Sequence, residues 1–268
     1  MSRPTRTVIA CKGAYPSKAK LVCRTPAMSL FLSVAASGTL LSAVAIGCGG
    51  AANPIVTEAA GGAVDARVAL RGAVREALQL KSAAFTLEHL KGTTSLIPGF
   101  VEMRKVSGVV DLPDSFRLKV EAETVVPRTF VEISVVTISD QAFMTDIITG
   151  KWRQVKPESL PFSLSNLGRT LANIIDAVDA PTYVGAERLK GYDTHHFQGR
   201  VMSQDLAGLV PGAGQGFNVA LDLWLEQSRN LLLQARISGI VVPTDEPGTV
   251  RLLTLDDVNV PVKISPPE

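Results

Sequence analysis

Cysteine is scarce in this sequence and is confined to its N-terminal part. The chain has 268 residues and three cysteines, Cys11, Cys23 and Cys48, so residues 49–268 contain none. A disulfide or a thiolate-ligated metal therefore cannot form within residues 49–268. Histidine is equally rare, with three residues in the whole chain, which leaves few candidates for a metal site or for acid-base catalysis.

Acidic residues are missing from the segment before Cys48. The charged residues of that segment are all basic: Arg3, Arg6, Lys12, Lys18, Lys20 and Arg24. The rest of the chain keeps 21 of the 27 lysines and arginines against 25 aspartates and glutamates, so its formal net charge is −4. Binding to nucleic acid requires clustered basic side chains. A mildly acidic remainder thus argues against nucleic acid as a partner.

A stretch without charged residues, 27–47, follows the basic segment and ends in Ala45-Ile46-Gly47-Cys48. The order of basic, apolar and small residues is typical of a secretory signal. The last four residues resemble the lipobox of bacterial lipoproteins, whose cysteine is diacylated and exposed by cleavage, although Ala45 stands where leucine is usual. The alternative is an uncleaved anchor, since about 20 apolar residues can span a bilayer. The serines within the stretch and the absence of a basic cluster after it favour the signal.

These features divide the chain into three parts. We predict a lipoprotein signal peptide over residues 1–47, a flexible tether over 48–63 and a folded domain over 64–268. The tether is rich in glycine and alanine and has no apolar periodicity, as in flexible linkers. Cys48 is the predicted lipid-attachment residue. The predicted location is the outer face of the cell membrane, where the exported protein is held by its lipid anchor.

The hydrophobic periodicity of the domain predicts helices and many short strands. We expect a first helix over Val64 to Leu80, an amphipathic helix over Leu164 to Val178 that ends before Pro181, and a shorter helix from Ser203 to about Pro211. Alternating apolar and polar residues predict strands, and short gaps between them favour antiparallel pairing. The predicted strands are Ser115–Ala122, Phe130–Ile138, Ala142–Ile147, Lys151–Val155, Thr194–Met202, Phe217–Glu226, Leu231–Gly239, Thr249–Asp256 and Val258–Ile264. The fold class is therefore α+β, with a curved antiparallel sheet interrupted by helices.

No constellation of residues in the sequence indicates catalysis. His195 and His196 are adjacent on a predicted strand, so their side chains point to opposite faces and cannot bind one ion together. A Gly-x-Ser-x-Gly nucleophile motif is absent. The glycine-rich run 212–216 precedes a strand, whereas a dinucleotide-binding loop opens a helix. We therefore expect a protein that is not an enzyme and that has no cofactor and no metal.

Three segments of the domain resemble the mycobacterial lipoprotein family that contains LppX and LprG. They are residues 80–85 (LKSAAF), residues 191–196 (GYDTHH) and residues 221–226 (LDLWLE), in the same order as in that family. The resemblance implies a half-barrel of antiparallel strands wrapped around helices, similar to periplasmic lipoprotein carriers, with an apolar cavity for acyl chains. It also implies that the protein carries envelope lipids or lipoglycans across the cell envelope.

The expected partners are an acylated lipid or glycolipid, the membrane through the lipid anchor, and, as a further candidate, an envelope lipid transporter. The alternative function is that of a non-catalytic interaction or scaffold lipoprotein with a filled core. Apolar residues of the predicted strands and of the amphipathic helix are the candidates for the cavity lining. They are Phe116, Leu118, Val120, Val131, Ile133, Leu164, Leu167, Leu171, Ile174, Ile175, Val178, Val219, Leu221 and Leu223.

Overall fold

A twelve-stranded antiparallel sheet forms the frame of the domain in the computed structural model, which describes residues 64–160 and 164–267. Side chains alternate between the two faces of each strand, as in Ser115–Thr124, where Phe116, Leu118 and Val120 are buried and the residues between them are more exposed. The strands are β1 Ser82–Lys91, β2 Thr94–Ile97, β3 Val101–Asp111, β4 Ser115–Thr124, β5 Phe130–Ile138, β6 Gln141–Thr145, β7 Trp152–Val155, β8 Asp179–Leu189, β9 Tyr192–Met202, β10 Asn218–Glu226, β11 Leu232–Ser238 and β12 Val250–Asp256.

The order of the strands places the two halves of the sequence side by side. Their order across the sheet is β7-β6-β5-β4-β3-β1-β12-β11-β10-β9-β8, and β2 pairs only with β3. Every pairing is antiparallel, and most strands pair with a neighbour in sequence through a short turn, as in a meander. The last strand, β12, pairs with the first, β1. This pairing joins the early strands and the late strands into one sheet.

Two α-helices pack against one face of this sheet, which we call the inner face. Helix α1 spans Ala66–Leu78 and begins at Asp65, whose carboxylate accepts hydrogen bonds from the backbone N–H groups of Arg67 and Val68. Helix α2 spans Leu167–Asp176 and buries Leu167, Leu171, Ile174 and Ile175. Neither helix in the described part of the chain has the length and hydrophobicity that a bilayer-spanning helix needs. The predicted α+β fold with a large antiparallel sheet is confirmed.

Some predicted elements are wrong. Residues Val258 to Ile264 form no strand. Asn259 has a positive φ of 61°, and its side chain accepts a hydrogen bond from the backbone N–H of Lys81, so the chain turns over the start of β1 and does not pair along it. The predicted helix from Ser203 to Pro211 is reduced to a single 3-10 turn, Ser203–Leu206. The sequence also failed to predict β1, β2, β3 and β8.

Candidate functional site

The predicted apolar rows meet on the inner face of the sheet. Of the candidate lining residues, Ile133 is partly buried and the others are buried, with exposed fractions of 9% or less. The buried ones are Phe116, Leu118, Val120, Val131, Leu164, Leu167, Leu171, Ile174, Ile175, Val178, Val219, Leu221 and Leu223. All but Val131 belong to one continuous apolar core or pack against it. The amphipathic patterns therefore located the interior of the domain.

A small apolar cavity lies within this core, between the early strands and the segment that precedes β10. Its volume is about 40 Å³. Two predicted residues, Leu118 and Leu164, line it. The other lining residues are Phe85 and Leu87 of β1, Met103 and Val106 of β3, and Gly208, Leu209 and Pro211. The sequence missed the residues of β1 and β3 because these segments were not predicted as strands, so their inward residues could not be assigned to a face. It missed the other three because they lie in irregular backbone.

The wall of the cavity opposite the sheet belongs to residues 203–217, which we call the wall segment. Its ends are fixed by hydrogen bonds: the Ser203 hydroxyl donates to the carbonyl of Gly214, and the Gly214 N–H donates to the carbonyl of Val241. Between these ends, the backbone hydrogen bonds of residues 207–213 stay within the segment, such as those from Leu209 and Val210 to the Leu206 carbonyl. The centre of the wall segment is therefore held against the sheet by apolar contacts.

A buried ion pair lies at the end of the inner face, beneath the connection between β11 and β12. Arg251 donates from Nη2 to both carboxylate oxygens of Asp245, at 2.7 and 2.8 Å. The carboxylate also accepts hydrogen bonds from the N–H groups of Val241 and Val242, each at 2.9 Å. This network organises the turn that leads into β12. Nη1 of Arg251 has no partner among the described residues.

His89 extends the same network across β1. Its Nε2 lies 2.9 Å from Oγ1 of Thr94, and its Nδ1 lies 3.0 Å from the carbonyl oxygen of Arg104. The Thr94 hydroxyl already accepts hydrogen bonds from Arg251, so its own proton is free to be donated to Nε2. Burial and the nearby positive charge of Arg251 lower the pKa of His89 to about 4. A neutral ring with its proton on Nδ1 satisfies both contacts, and the residue has a structural role.

A second polar cluster surrounds His196 on the opposite, outer face. Nδ1 and Nε2 of His196 lie 2.9 Å from the carboxylates of Glu187 and Asp222, and the ring stacks on Trp224. Trp224 donates to Glu187 at 3.0 Å, and this bond is the main cause of the lowered pKa of that carboxyl. Both ring nitrogens of His196 are thus occupied by side chains of neighbouring strands. The cluster joins β8, β9 and β10.

His195 points to the inner face, so the two adjacent histidines lie on opposite faces of the sheet, as predicted. Its ring packs edge-on against Tyr183 and lies near Phe197, which is buried in the core. Burial lowers the pKa of His195, so the neutral ring is favoured. Among the residues that the structure describes, there is no group of three or more His, Cys, Asp or Glu side chains arranged to hold a metal ion.

A wider groove of about 440 Å³ lies on the outer face and is open to solvent. It runs between Trp152 and Pro267, and Ser107, Arg117 and Lys119 contribute to its lining. The Arg117 side chain is fixed by a hydrogen bond to the carbonyl of Ser265 in the C-terminal segment. Two of the residues that line the groove, Arg117 and Lys119, are charged, whereas the lining of the inner cavity consists of apolar residues and glycine. Of the two, the inner cavity is better suited to an apolar ligand.

Solved structures of mycobacterial lipoproteins share this fold. The crystal structure of LprF from Mycobacterium bovis matches with a TM-score of 0.59 and 17% identity, over 77% of this chain and 99% of that chain. The crystal structure of the lipoprotein LppX from Mycobacterium tuberculosis matches with a TM-score of 0.50 and 15% identity, over 74% of this chain and 97% of that chain. No curated protein matches this chain.

The family comparison covers almost the whole of the described domain. The model of the LppX/LprAFG lipoproteins matches residues 65–264, from the N-cap of α1 to beyond β12. These are non-catalytic lipoproteins, in agreement with the prediction that this chain is not an enzyme. The match includes all three segments on which the resemblance was based. The chain belongs to the LppX/LprAFG lipoprotein family.

Proposed function

We propose that this protein binds the acyl chains of envelope lipids or lipoglycans in its apolar interior and carries them across the cell envelope. The observation that supports this proposal is the cavity between the sheet and the wall segment, whose lining residues are all apolar or glycine. Each methylene group moved from water into such an interior contributes about 0.8 kcal/mol. Membership of the LppX/LprAFG family supports the same function.

The cavity is too small to hold an acyl chain unless the structure around it changes. A volume of about 40 Å³ holds little more than one water molecule, so an acyl chain needs the wall segment to move away from the sheet. The centre of this segment pairs with no strand, and its hydrogen bonds would move with it. Displacing Leu209 and Pro211 exchanges apolar side-chain contacts for contacts with the acyl chain. The remaining residues of the inner face, including Val120 and Leu171, are then proposed to extend the binding surface.

The proposed carrier is held at the outer face of the membrane by acylation of Cys48. This residue and the tether 48–63 lie outside the residues that the structure describes. Sixteen residues of extended chain reach about 50 Å, which would let the domain move between the membrane and an acceptor. Anchoring by a lipid at Cys48 is supported by the family, because its members are lipoproteins. An envelope lipid transporter is the proposed partner that loads or unloads the domain.

The small volume of the cavity also favours a second candidate function, in which the protein binds no lipid in its interior. If the wall segment stays closed, the interior is a filled core and the protein is a scaffold or interaction lipoprotein. The two functions differ in one measurable property, because only the carrier retains lipid when the protein is purified.

The test is mass spectrometry of the organic extract of residues 59–268, produced without added lipid in a lipid-containing host. This fragment forms a compact unit of its own, and the LprF chain is matched over 99% of its length by 77% of this chain. We expect acyl lipids at a fixed ratio to protein. Leu209→Trp places a larger side chain in the cavity wall and should reduce the bound lipid at least severalfold, whereas Leu189→Trp, at a partly buried position on β8, should not.

Two outcomes would reject the carrier function. The first is an extract without acyl lipid from a correctly folded wild-type fragment, which would favour the scaffold. The second is equal lipid content in Leu209→Trp and Leu189→Trp, which would place the lipid outside this cavity.

A further inference from the structure

Three hairpin tips at one end of the sheet expose apolar side chains to solvent. These tips join β2 to β3, β4 to β5, and β6 to β7. The most exposed side chains are those of Ile148, Val126 and Phe130, at 92%, 79% and 61%. We call the following residues the apolar rim: Ile97, Phe100, Val125, Val126, Phe130, Ile147 and Ile148. They make up seven of the fifteen large apolar side chains that are exposed in the described part of the chain.

The strand register points the three tips in the same direction. Val101 pairs with Thr124 and Glu123 pairs with Phe130, so the first two tips extend beyond the same end of the sheet. They are joined by a hydrogen bond of 2.9 Å from the Val125 N–H to the carbonyl of Phe100. The third tip follows on the next two strands, in the same direction. Neighbouring strands lie about 4.8 Å apart, so successive tips are offset by about 10 Å across the sheet. Along the strands, the third tip is set back, because Val135 pairs with Met144 whereas β5 continues to Phe130 at the second tip.

Local turn structure directs the rim side chains outward. In the third tip, the Asp146 carboxylate accepts hydrogen bonds from the N–H groups of Ile148 and Thr149 and from the Thr149 hydroxyl. The turn closes at Gly150, which has a positive φ of 67°, and the first tip has Gly99 at 70°. A Cβ added at either glycine would meet no atom within 4 Å. A side chain at either of these two positions would therefore extend into open space.

The charges at this end of the sheet are suited to an anionic surface. The Asp146 carboxylate is engaged within its own turn, which lowers its pKa. Glu123 pairs with Arg104 at 2.9 Å. The basic residues Lys151 and Arg153, next to the third tip, are exposed and form no ion pair with any described residue. The acidic groups are thus partly neutralised, while basic groups remain available.

We propose that the apolar rim docks the domain on the surface of a membrane that contains anionic lipids. Single exposed apolar residues are common on soluble proteins, but seven gathered on three tips at one end of the sheet are typical of an interaction site. Aliphatic and aromatic side chains on separate tips can each enter the boundary between headgroups and acyl chains, and basic neighbours attract anionic headgroups. The surface is distinct from the lipid cavity, so this docking does not depend on the proposed carrier function.

The first test places a fluorescent probe on the rim. Because residues 59–268 contain no cysteine, Ile148→Cys can carry a single environment-sensitive fluorophore. Val260→Cys is the matched control: its side chain is 53% exposed, and its carbonyl accepts a hydrogen bond from Ser82 at the opposite end of the sheet. With vesicles of phosphatidylcholine and phosphatidylglycerol, we expect a blue shift and a gain in intensity at position 148 and neither change at position 260.

The second test removes the apolar side chains. The double variant Val126→Asp with Ile148→Asp should reduce co-sedimentation with the same vesicles about tenfold or more, whereas Val260→Asp should leave it unchanged. These side chains are exposed, so melting temperatures should stay close to that of the wild type. The cavity variant Leu209→Trp should bind vesicles normally, which separates failure of docking from failure of lipid carriage.

Three results would overturn the docking proposal. One is an unchanged probe at position 148 in the presence of vesicles. Another is equal vesicle binding by the rim variant and the wild type. The third is a shift of the position-148 probe that grows with protein concentration without vesicles, because it would assign the rim to contact between two copies of the chain.

Discussion

Arg251 and Asp245 form an ion pair of 2.7 Å in which both side chains are completely shielded from solvent. Burying two charges costs free energy that their attraction offsets only with good geometry and further hydrogen bonds. Here, the backbone N–H groups of Val241 and Val242 supply hydrogen bonds to the carboxylate, and Thr94 accepts hydrogen bonds from the guanidinium group. The ion pair joins β12, the turn before it and β2 into one polar unit beside the apolar core.

Neutralising Asp245 should destabilise the domain strongly. Asp245→Asn keeps the shape of the side chain but leaves the buried guanidinium without its counter-charge, so we expect a loss of about 3 to 5 kcal/mol in the free energy of unfolding. Urea unfolding at neutral pH measures this loss. The control is Asp256→Asn, which breaks an exposed ion pair with Lys190 and should cost less than about 1 kcal/mol. Similar costs for the two variants would show that the buried pair adds little to stability.

Stability should also fall as His89 becomes protonated. Its pKa is about 4 in the folded domain and about 6.5 in the unfolded chain. The unfolded state therefore binds more protons between these values, and the contribution of His89 is complete above about pH 6.5 and is lost as the pH falls toward 4. We expect a decrease of about 2 to 3 kcal/mol over this range.

The variant His89→Gln isolates this effect. It cannot titrate, so its free energy of unfolding should depend less steeply on pH between about 6.5 and 4 than that of the wild type, whatever its stability at neutral pH. Asp146 and Glu187 also have lowered pKa values, but their contributions are lost at lower pH and are common to both proteins. Parallel curves for the two proteins would mean that His89 is protonated as easily in the folded state as in the unfolded state.

The contact between the two helices should not tolerate a side chain at Gly168. A Cβ at this position would lie 2.5 Å from the carbonyl oxygen of Ala77 and 3.2 Å from Cβ of Leu80. Although alanine favours helix formation more than glycine does, the clash with the α1 backbone should make Gly168→Ala less stable by about 1 to 3 kcal/mol.

Gly185 on β8 provides the comparison for Gly168. A Cβ at Gly185 would meet no atom within 4 Å, so Gly185→Ala should change stability by less than about 0.5 kcal/mol. Thermal or urea unfolding of the two variants checks both expectations. If Gly168→Ala were as stable as Gly185→Ala, the helices would have room to separate without loss of packing.

The helices and strands that were predicted best from the sequence are those with one face in the core and the other face toward solvent. The alternation in β4 and the helical spacing of α2 are clear because each element has one face in the core. In the region of β8, Pro181 was interpreted only as the residue before which the helix ends. An edge strand tolerates proline because one side of it has no neighbour. β1 was missed because Ala83, Ala84 and Phe85 are consecutive apolar residues and hide the alternation.

The candidate site was predicted only in part, for related reasons. Leu118 and Leu164 were found because each belongs to a periodic element or directly precedes one. Leu209 and Pro211 lie in irregular backbone, where side-chain direction follows from tertiary contacts and not from a repeat. The ion pair of Arg251 with Asp245 depends on a turn conformation that no local pattern indicates.

Replacing Cys48 should abolish lipid attachment and with it retention on the membrane. Acylation at one cysteine supplies more than one hydrocarbon chain, and stable anchoring needs more than a single chain. We therefore expect that the full chain with Cys48→Ala, produced in a mycobacterial host, incorporates no labelled fatty acid and appears in the soluble fraction, whereas the wild type is labelled and sedimented with membranes.

A second substitution tests whether the lipobox directs the lipid attachment and cleavage of the protein. Ala45→Leu restores the usual residue of the lipobox and should increase the labelled, cleaved fraction of the protein. Labelling of Cys48→Ala at the wild-type level would remove Cys48 from its proposed role. Loss of the label with unchanged membrane retention and no cleavage would instead show that the apolar stretch 27–47 is an uncleaved transmembrane anchor, because such a stretch is long enough to span the bilayer without any acyl chain.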